Sequence, residues 1–297
     1  MQSGAIRPLN NMLPRNLFNA EHEAFRETVR KFYAKEVVPN IEKYEQQQHV
    51  DRELWNKAGT MGLLCATMPE AYGGSGVDRL YSMILIEEQA YAMDSSTGFS
   101  LHSDIVANYI NNFGSEAQKH YWLTRMASGE TVTAIAMTEP GTGSDLQAVR
   151  TTAVLDGDDY IINGSKIFIT NGYLCDMAIV VCKTGDSEKG SANLSLIIVE
   201  ADRAGFSKGK PLNKIGMKGQ DTCELLFDHV RVPKENRLGM EGMGFMMLIK
   251  ELVGERMLVA IICQAGAEAA LAHTVQYTKE RTAFRKIVSS FQNTRFK

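Results

Sequence analysis

The spacing of apolar residues changes period twice along this chain, and each change limits what the segment can fold into. From Glu21 to Ala136 the spacing is helical: Phe25, Val29, Phe32 and Val37 stand three to five apart, and Pro39 behind them is expected to act as a stop. Further helical stretches are expected over Arg52 to Leu64, Leu80 to Met93, Ser103 to Asn112 and Glu116 to Ser128, punctuated by Gly59, Gly62, Gly98 and Gly114. Around Thr131 the texture becomes short apolar runs with paired turn signals, which is the pattern of strands. Tyr160-Ile161-Ile162, Asn163-Gly164 and Ile167-Phe168-Ile169-Thr170 read as a hairpin closed by a type I′ turn, with Asn171-Gly172 as a second turn. After Gly239 the helical pattern returns and runs from Phe245 to His273 without an interior proline. The expected order is a helical domain over residues 1–130, a β domain over 131–238 and a helical segment over 239–297. No internal repeat or low-complexity tract interrupts it.

Composition narrows the function. Among 297 residues, 32 Lys and Arg against 35 Asp and Glu leave a net charge of −3. A chain this nearly balanced lacks the cationic excess by which proteins neutralise a phosphate backbone, so no nucleic-acid partner is expected. The greasiest runs, Met177 to Cys182 and Leu194 to Val199, are far too short to span a bilayer. Cys65, Cys175, Cys182, Cys223 and Cys263 are odd in number and form no CxxC, so reduced thiols in a cytosolic-type compartment are expected. The first twenty residues carry Arg7 and Arg15 but no apolar core of a secretory signal, which leaves a transit peptide as the only leader to consider. The six histidines have no metal-ligand or triad spacing, so no metal is expected.

Glu255 is the residue that physics singles out. On the last helical segment Phe245, Leu248, Leu252, Val259 and Ile262 mark an apolar stripe, and Glu255 occupies a place where another apolar residue belongs. A carboxylate desolvated there has a raised pKa, which suits a general base near neutral pH. Gly254 beside it leaves room for a ligand. The competing readings are a structural ion pair with a neighbouring cation, or a helix rotated so that Glu255 is exposed. Thr138 to Asp145 form a glycine-rich loop that lacks the third glycine of a dinucleotide fingerprint and the Gly-Lys of a phosphate loop. Gly141 and Gly143 could still bring backbone N–H groups close to a flat or anionic ligand; the competing reading is a tight turn between strands. Phe168 and Thr170, two apart on an expected strand, share a face and suit either a flat ring or ordinary core packing. Met240, Met243, Met246, Met247 and Met257 gather around Glu255 and suit an alkyl pocket or plain core.

Together, Ile135-Ala136-Met137-Thr138-Glu139-Pro140-Gly141-Thr142-Gly143-Ser144-Asp145, Phe168-Ile169-Thr170-Asn171-Gly172 and the Glu255-Arg256 pair resemble the acyl-CoA dehydrogenase family. The context of Glu255, with Ala20 to Arg26 and Gly98 to Ile105, looks most like its long-chain branch. The resemblance implies an α+β fold: an N-terminal all-helical domain, a middle antiparallel β-barrel or sandwich domain and a C-terminal helical bundle. Only the start of that bundle is expected here, because Phe291 to Lys297 runs to the end without a cap. FAD is implied between the β domain and the bundle, lined by Ile135 to Ser144 and flanked by Phe168, Ile169 and Thr170. Arg281 and Gln292 would contact the FAD of a neighbouring subunit in a homotetramer. Arg285 and Ile287 stand where relatives carry Gly and Pro, which puts the local turn in question. Substrate contacts are implied for Ser144, Met246, Val253, Gly254, Glu255 and Arg256, with Met246 in place of an aromatic. In the implied reaction Glu255 takes the α-proton of an acyl-CoA while the β-hydrogen leaves as hydride to flavin N5, giving a trans-2-enoyl-CoA in fatty-acid β-oxidation. An electron-transfer flavoprotein then reoxidises the flavin. The setting is cytoplasmic in a bacterium and the mitochondrial matrix in a eukaryote. A second function hypothesis is a remnant that binds acyl-CoA or a partner without turnover.

Overall fold

The computed structural model describes residues 15–185 and 193–296; Arg7 and Lys297 therefore lie outside the described residues. Six α-helices come first: α1 Ala20–Phe32, α2 Ile41–Gln47, α3 Arg52–Thr60, α4 Arg79–Tyr91, α5 Ala107–Phe113 and α6 Glu116–Ala127. Their starts are written locally. Asn19 and Ser115 each close a capping box, and the Asp78 carboxylate accepts the Leu80 amide at the head of α4. Pro39 does not stop the chain. It sits in a 3₁₀ turn, Val38–Asn40, where no N–H is needed, and the helix resumes as α2. Helix α3 ends four residues before the expected Leu64, because Gly62 takes a left-handed φ of 68°. Val29, Phe32, Tyr44, Trp55, Ile84 and Phe99 form the core of this domain.

The strands are β1 Thr133–Ala136, β2 Thr152–Asp156, β3 Asp159–Thr170, β4 Met177–Lys183, β5 Leu194–Glu200, β6 Phe206–Lys208, β7 Thr222–Pro233 and β8 Arg237–Leu238. They form one sheet in the order β6-β7-β3-β2-β4-β5-β8, with β1 beside β4. Most pairs are antiparallel, but β1 and β2 both run parallel to β4, so the sheet is mixed. Turn signals report only neighbouring strands and are silent about such crossovers.

The expected hairpin at Asn163-Gly164 is not there. Both residues lie inside β3, where the register with β7 shifts between Ile162 and Gly164, and Asn163 Oδ1 accepts the His229 amide across the bulge. The hairpin is one strand earlier, closed at the Asp156 and Asp159 pair between β2 and β3. Asn171-Gly172 does make a turn: Gly172 N donates to Ile169 O and Cys175 N to Asn171 O.

The runs in β4 and β5 are apolar on both faces because both faces are covered. Met177, Ile179 and Val181 pack against Tyr109, Ile110, Leu123 and Met126 of the helices, while Ala178, Val180 and Cys182 pack against Ile162, Leu225 and Val230 inside the sheet. Each larger side chain so buried contributes about 1.5–3 kcal/mol.

Helix α7, Gly244–Glu280, follows, then the small hairpin β9 Thr282–Ala283 and β10 Lys286–Ile287, and α8 Gln292–Phe296. The face of α7 that is buried differs from the expected stripe. It runs Gly244, Met247, Leu248, Glu251, Leu258, Ala265, Ala269 and Ala272, while Val259 and Ile262 are exposed. Small residues in this seam let α7 lie close against α4, and the larger apolar residues are left on the other side. Among the described residues no helix is long and apolar enough to cross a membrane.

Candidate active site

Glu255 stands beside the buried seam of α7, in the interval between Glu251 and Leu258. The Tyr109 hydroxyl of α5 donates to its Oε1 at 2.8 Å, and Tyr109 is 0% exposed. The second oxygen, Oε2, takes part in no hydrogen bond among the described residues, and no cation lies within ion-pair distance. The structural ion pair considered for Glu255 is therefore absent among them. Burial pushes its carboxyl above the ordinary glutamate range; the Tyr109 hydroxyl pulls it down and the charge of Glu251 pushes it further up. Glu251, one turn earlier and buried, accepts from Asn112 Nδ2 at 2.9 Å. Arg79, at the head of α4, comes within 3.4 Å of the place a Cβ on Gly254 would occupy.

Ile135 and Ala136 are buried in β1, and Met137 and Thr138 are half-buried at its exit. This strand is pinned from two sides. Buried His102 is held neutral, its pKa lowered to about 4 by desolvation; it accepts from the Thr133 hydroxyl at 2.9 Å and donates to Met126 O at 3.1 Å. Asn171 donates to both Gly98 O and Thr133 O. The loop beyond β1 is fixed by its acid. Glu139 is buried and accepts from Arg150 N at 2.7 Å, Thr151 N at 2.9 Å and Lys166 Nζ at 2.9 Å. Its carboxylate is thus spent on the fold, and its backbone exchanges hydrogen bonds with Thr142.

Pro140, Gly141, Gly143 and Ser144 are exposed and Thr142 is buried. Neither Gly141 nor Gly143 takes a left-handed φ, and a Cβ on either would meet no atom of the described residues within 4 Å. Among the described residues nothing requires glycine at either position.

Phe168 breaks the period of β3. The register shifts between Lys166 and Ile169, Phe168 takes φ 60°, and its ring is 63% exposed while Ile169 is buried. A bulky residue in the left-handed region is uncommon, and strain of this kind clusters where a ligand is bound. The bulge, rather than plain strand alternation, leaves Phe168 exposed and Thr170 half-buried.

One hydrophobic core ties the pieces together: it holds Ile135 of β1, Tyr109 of α5 and Met247 and Leu248 of α7, with Met137, Leu146 and Phe245 packed against it. The structure thus brings the start of the glycine loop, α5 and α7 into contact. Met246, Val253 and Arg256 are exposed. Met246 lies nine residues before Glu255, about two and a half turns away, and Val253 is two residues off, so both are out of phase with the Glu255 side chain. Arg281 ends α7 and Gln292 opens α8, both exposed, and Arg281 is roughly 39 Å along the helix from Glu255. They are not part of the same cluster. Tyr109, Asn112, Glu251 and Arg79 were missed from the sequence, since nothing in the spacing joins α5 to a helix 146 residues away. Among the described residues no group of His, Cys, Asp or Glu is placed to hold a metal ion.

Comparison with known proteins places the whole arrangement. Family models match residues 19–130 as the acyl-CoA dehydrogenase N-terminal domain, 134–230 as its middle domain and 242–297 as its C-terminal domain. The chain is 47% identical to the long-chain specific acyl-CoA dehydrogenase, mitochondrial, of Sus scrofa, across all of this chain and 69% of that protein. It is similar to the crystal structure of acyl-CoA dehydrogenase from Geobacillus kaustophilus with TM-score 0.91 and 46% identity, over 95% of this chain and 74% of that one. A Bacillus anthracis acyl-CoA dehydrogenase crystallised in complex with FAD matches with TM-score 0.85 and 35% identity, over 92% of this chain and 47% of that one. Helices, mixed sheet and α7 all follow the same pattern, and the chain belongs to the acyl-CoA dehydrogenase family.

Proposed function

We propose that this chain is an FAD-dependent dehydrogenase of long-chain acyl-CoA, with Glu255 as the base that removes the α-proton. One observation carries the reading: a carboxylate half-withdrawn from water on an apolar helix, anchored through one oxygen by a neutral donor, with no paired cation and its other oxygen unengaged among the described residues.

The residues fit the cofactor. Gly141 and Gly143 leave clear space, Ser144 offers an exposed hydroxyl, and Phe168 presents an aromatic ring from a bulge beside Thr170. Ile135 to Ser144 and Phe168 to Thr170 would hold FAD, and Arg281 and Gln292 would reach that of a neighbouring subunit. Bound FAD would supply the hydride acceptor. The chain's own work is to bind and orient the thioester and to take its α-proton. That proton is too weakly acidic for a carboxylate unless water is excluded and the developing enolate oxygen is stabilised by donors. Ser144, Gly254 and Arg256 are the proposed substrate neighbours of Glu255.

The long-chain assignment is supported by the likeness to the long-chain specific acyl-CoA dehydrogenase of Sus scrofa, 47% identical across all of this chain. The same reading gives an electron-transfer flavoprotein as acceptor, and a cytoplasmic or mitochondrial-matrix setting, the Sus scrofa relative being mitochondrial. A homo-oligomer is supported by exposed Val253, Met257 and Leu271 on α7.

The test is optical. The FAD-loaded chain is expected to bleach anaerobically on adding palmitoyl-CoA and to regain colour on adding the electron-transfer flavoprotein. Glu255→Gln is expected to keep FAD and lose bleaching. A colourless chain that cannot be reconstituted with FAD would point to binding without turnover.

A further inference from the structure

Two carboxylates, Glu251 and Glu255, stand one turn apart on α7, and like charges at this spacing oppose each other. No cation neutralises either one within ion-pair distance among the described residues. Instead α5 offers each a neutral donor: Asn112 Nδ2 to Glu251 at 2.9 Å and the Tyr109 hydroxyl to Glu255 at 2.8 Å. The donors are three residues apart on α5, which matches the one-turn spacing of the acceptors on α7. Tyr109 is fully buried and sits in the core that also holds Ile135 and Leu248, so its hydroxyl is fixed by packing from both domains.

We infer that Tyr109 is a positioning residue for Glu255: it anchors Oε1 from α5 and leaves Oε2 as the oxygen free to accept a proton. The inference rests on the reading of Glu255 as the base and deepens it. A base held by a cation would be a weaker proton acceptor, and one with both oxygens engaged would have no free lone pair to offer. A single neutral anchor avoids both outcomes.

Of the other ionisable groups on neighbouring elements, all but Arg79 are already engaged among the described residues. On α4, Glu87 is paired with Arg15 and Arg26, and Glu88 with Arg26 and Arg30. In the π-helical turn Leu101–Val106, Asp104 accepts from Ser82, and His102 is neutral. Arg79 approaches Gly254 rather than the carboxylate. Strand β5 meets α7 at Gly244, away from Glu255. Tyr109 and Glu251 are the two groups that act on Glu255 directly.

The sign follows from the bond. The hydroxyl donates to the ionised carboxylate, so removing it leaves the proton more tightly held. Tyr109→Phe keeps the ring in the core and is expected to move the acid limb of the anaerobic bleaching rate up by about one pH unit, the worth of one hydrogen bond to a charged group. Below the limb that is about a tenfold loss, shrinking as the pH rises above it. A merely structural role would lower the rate equally at all pH values.

A second readout needs no turnover. Infrared titration of the carboxyl band that Glu255→Gln abolishes should show the same upward shift in Tyr109→Phe. An unmoved band and an unmoved limb would overturn the inference while leaving Glu255 as base. Bleaching retained by Glu255→Gln would instead overturn the base assignment, with the infrared titration still reporting whether Tyr109 controls this carboxyl.

Discussion

Glu255 and Lys166 are both ionisable side chains withdrawn from water, and the fold treats them in opposite ways. Among the described residues Glu255 keeps one oxygen unengaged, whereas Lys166 is 0% exposed and held twice: its Nζ donates to Met137 O at 3.0 Å and to Glu139 Oε1 at 2.9 Å. Burial lowers the Lys166 pKa; it also pushes the Glu139 carboxyl up, but contacts with Thr151 and Lys166 bring that group below the usual range. The pair fastens the glycine loop to β3, and Ile167 N adds a bond to Thr138 O. Removing one partner strands the other charge. Lys166→Met is therefore expected to cost about 3–5 kcal/mol in denaturant unfolding, with much of the loss recovered in Lys166→Met combined with Glu139→Gln. Equal losses in the single and double variants would show that the two do not act as a pair. Glu255 was legible in the sequence because a charge inside an apolar run is a misfit. Tyr109 was not, because a buried tyrosine looks like any core aromatic until its hydroxyl has a partner.

Helix α7 shows what periodicity leaves open at the scale of an element. It is apolar nearly all round, so hydrophobicity alone could not say which side faces α4; the small residues Ala265, Ala269 and Ala272 decide it by allowing close approach. The bulges in β3 were hidden for a related reason. Asn163-Gly164 is a strong hairpin signal when read locally, and only pairing with β7 makes it an irregularity within one strand. The β9–β10 hairpin carries a legible conflict: Phe284 and Arg285 both take left-handed φ, 51° and 63°, positions that favour Asn-Gly. A non-glycine residue there costs roughly 1–2 kcal/mol. Arg285→Gly is expected to stabilise the hairpin by about 1 kcal/mol, slowing exchange of the Val288 amide, which donates to Arg281 O, by about fivefold. Unchanged or faster exchange would show that the turn carries no such strain.

Taken as a whole molecule, the helical domain and the sheet share a core through β1, β4, β5 and α5, and α7 lies across it with one side open. Exposed Val253, Met257 and Leu271 on that side lead to an expectation of self-association; sedimentation should show species larger than a monomer, and Met257→Glu should weaken assembly by about tenfold. A monomer at all concentrations would remove this face from any subunit contact. The order of helical, strand and helical segments could be read from the change in apolar period, while the parallel partners of β4 could not, since nothing local records them. The candidate site was legible only as separate motifs, and the fold is what places α5 beside α7. The most direct test of the central claim is anaerobic bleaching of the FAD-loaded chain by palmitoyl-CoA, compared with Glu255→Gln. Bleaching in the first and none in the second, with FAD content equal, is the predicted result; bleaching of both at similar rates would contradict Glu255 as the base.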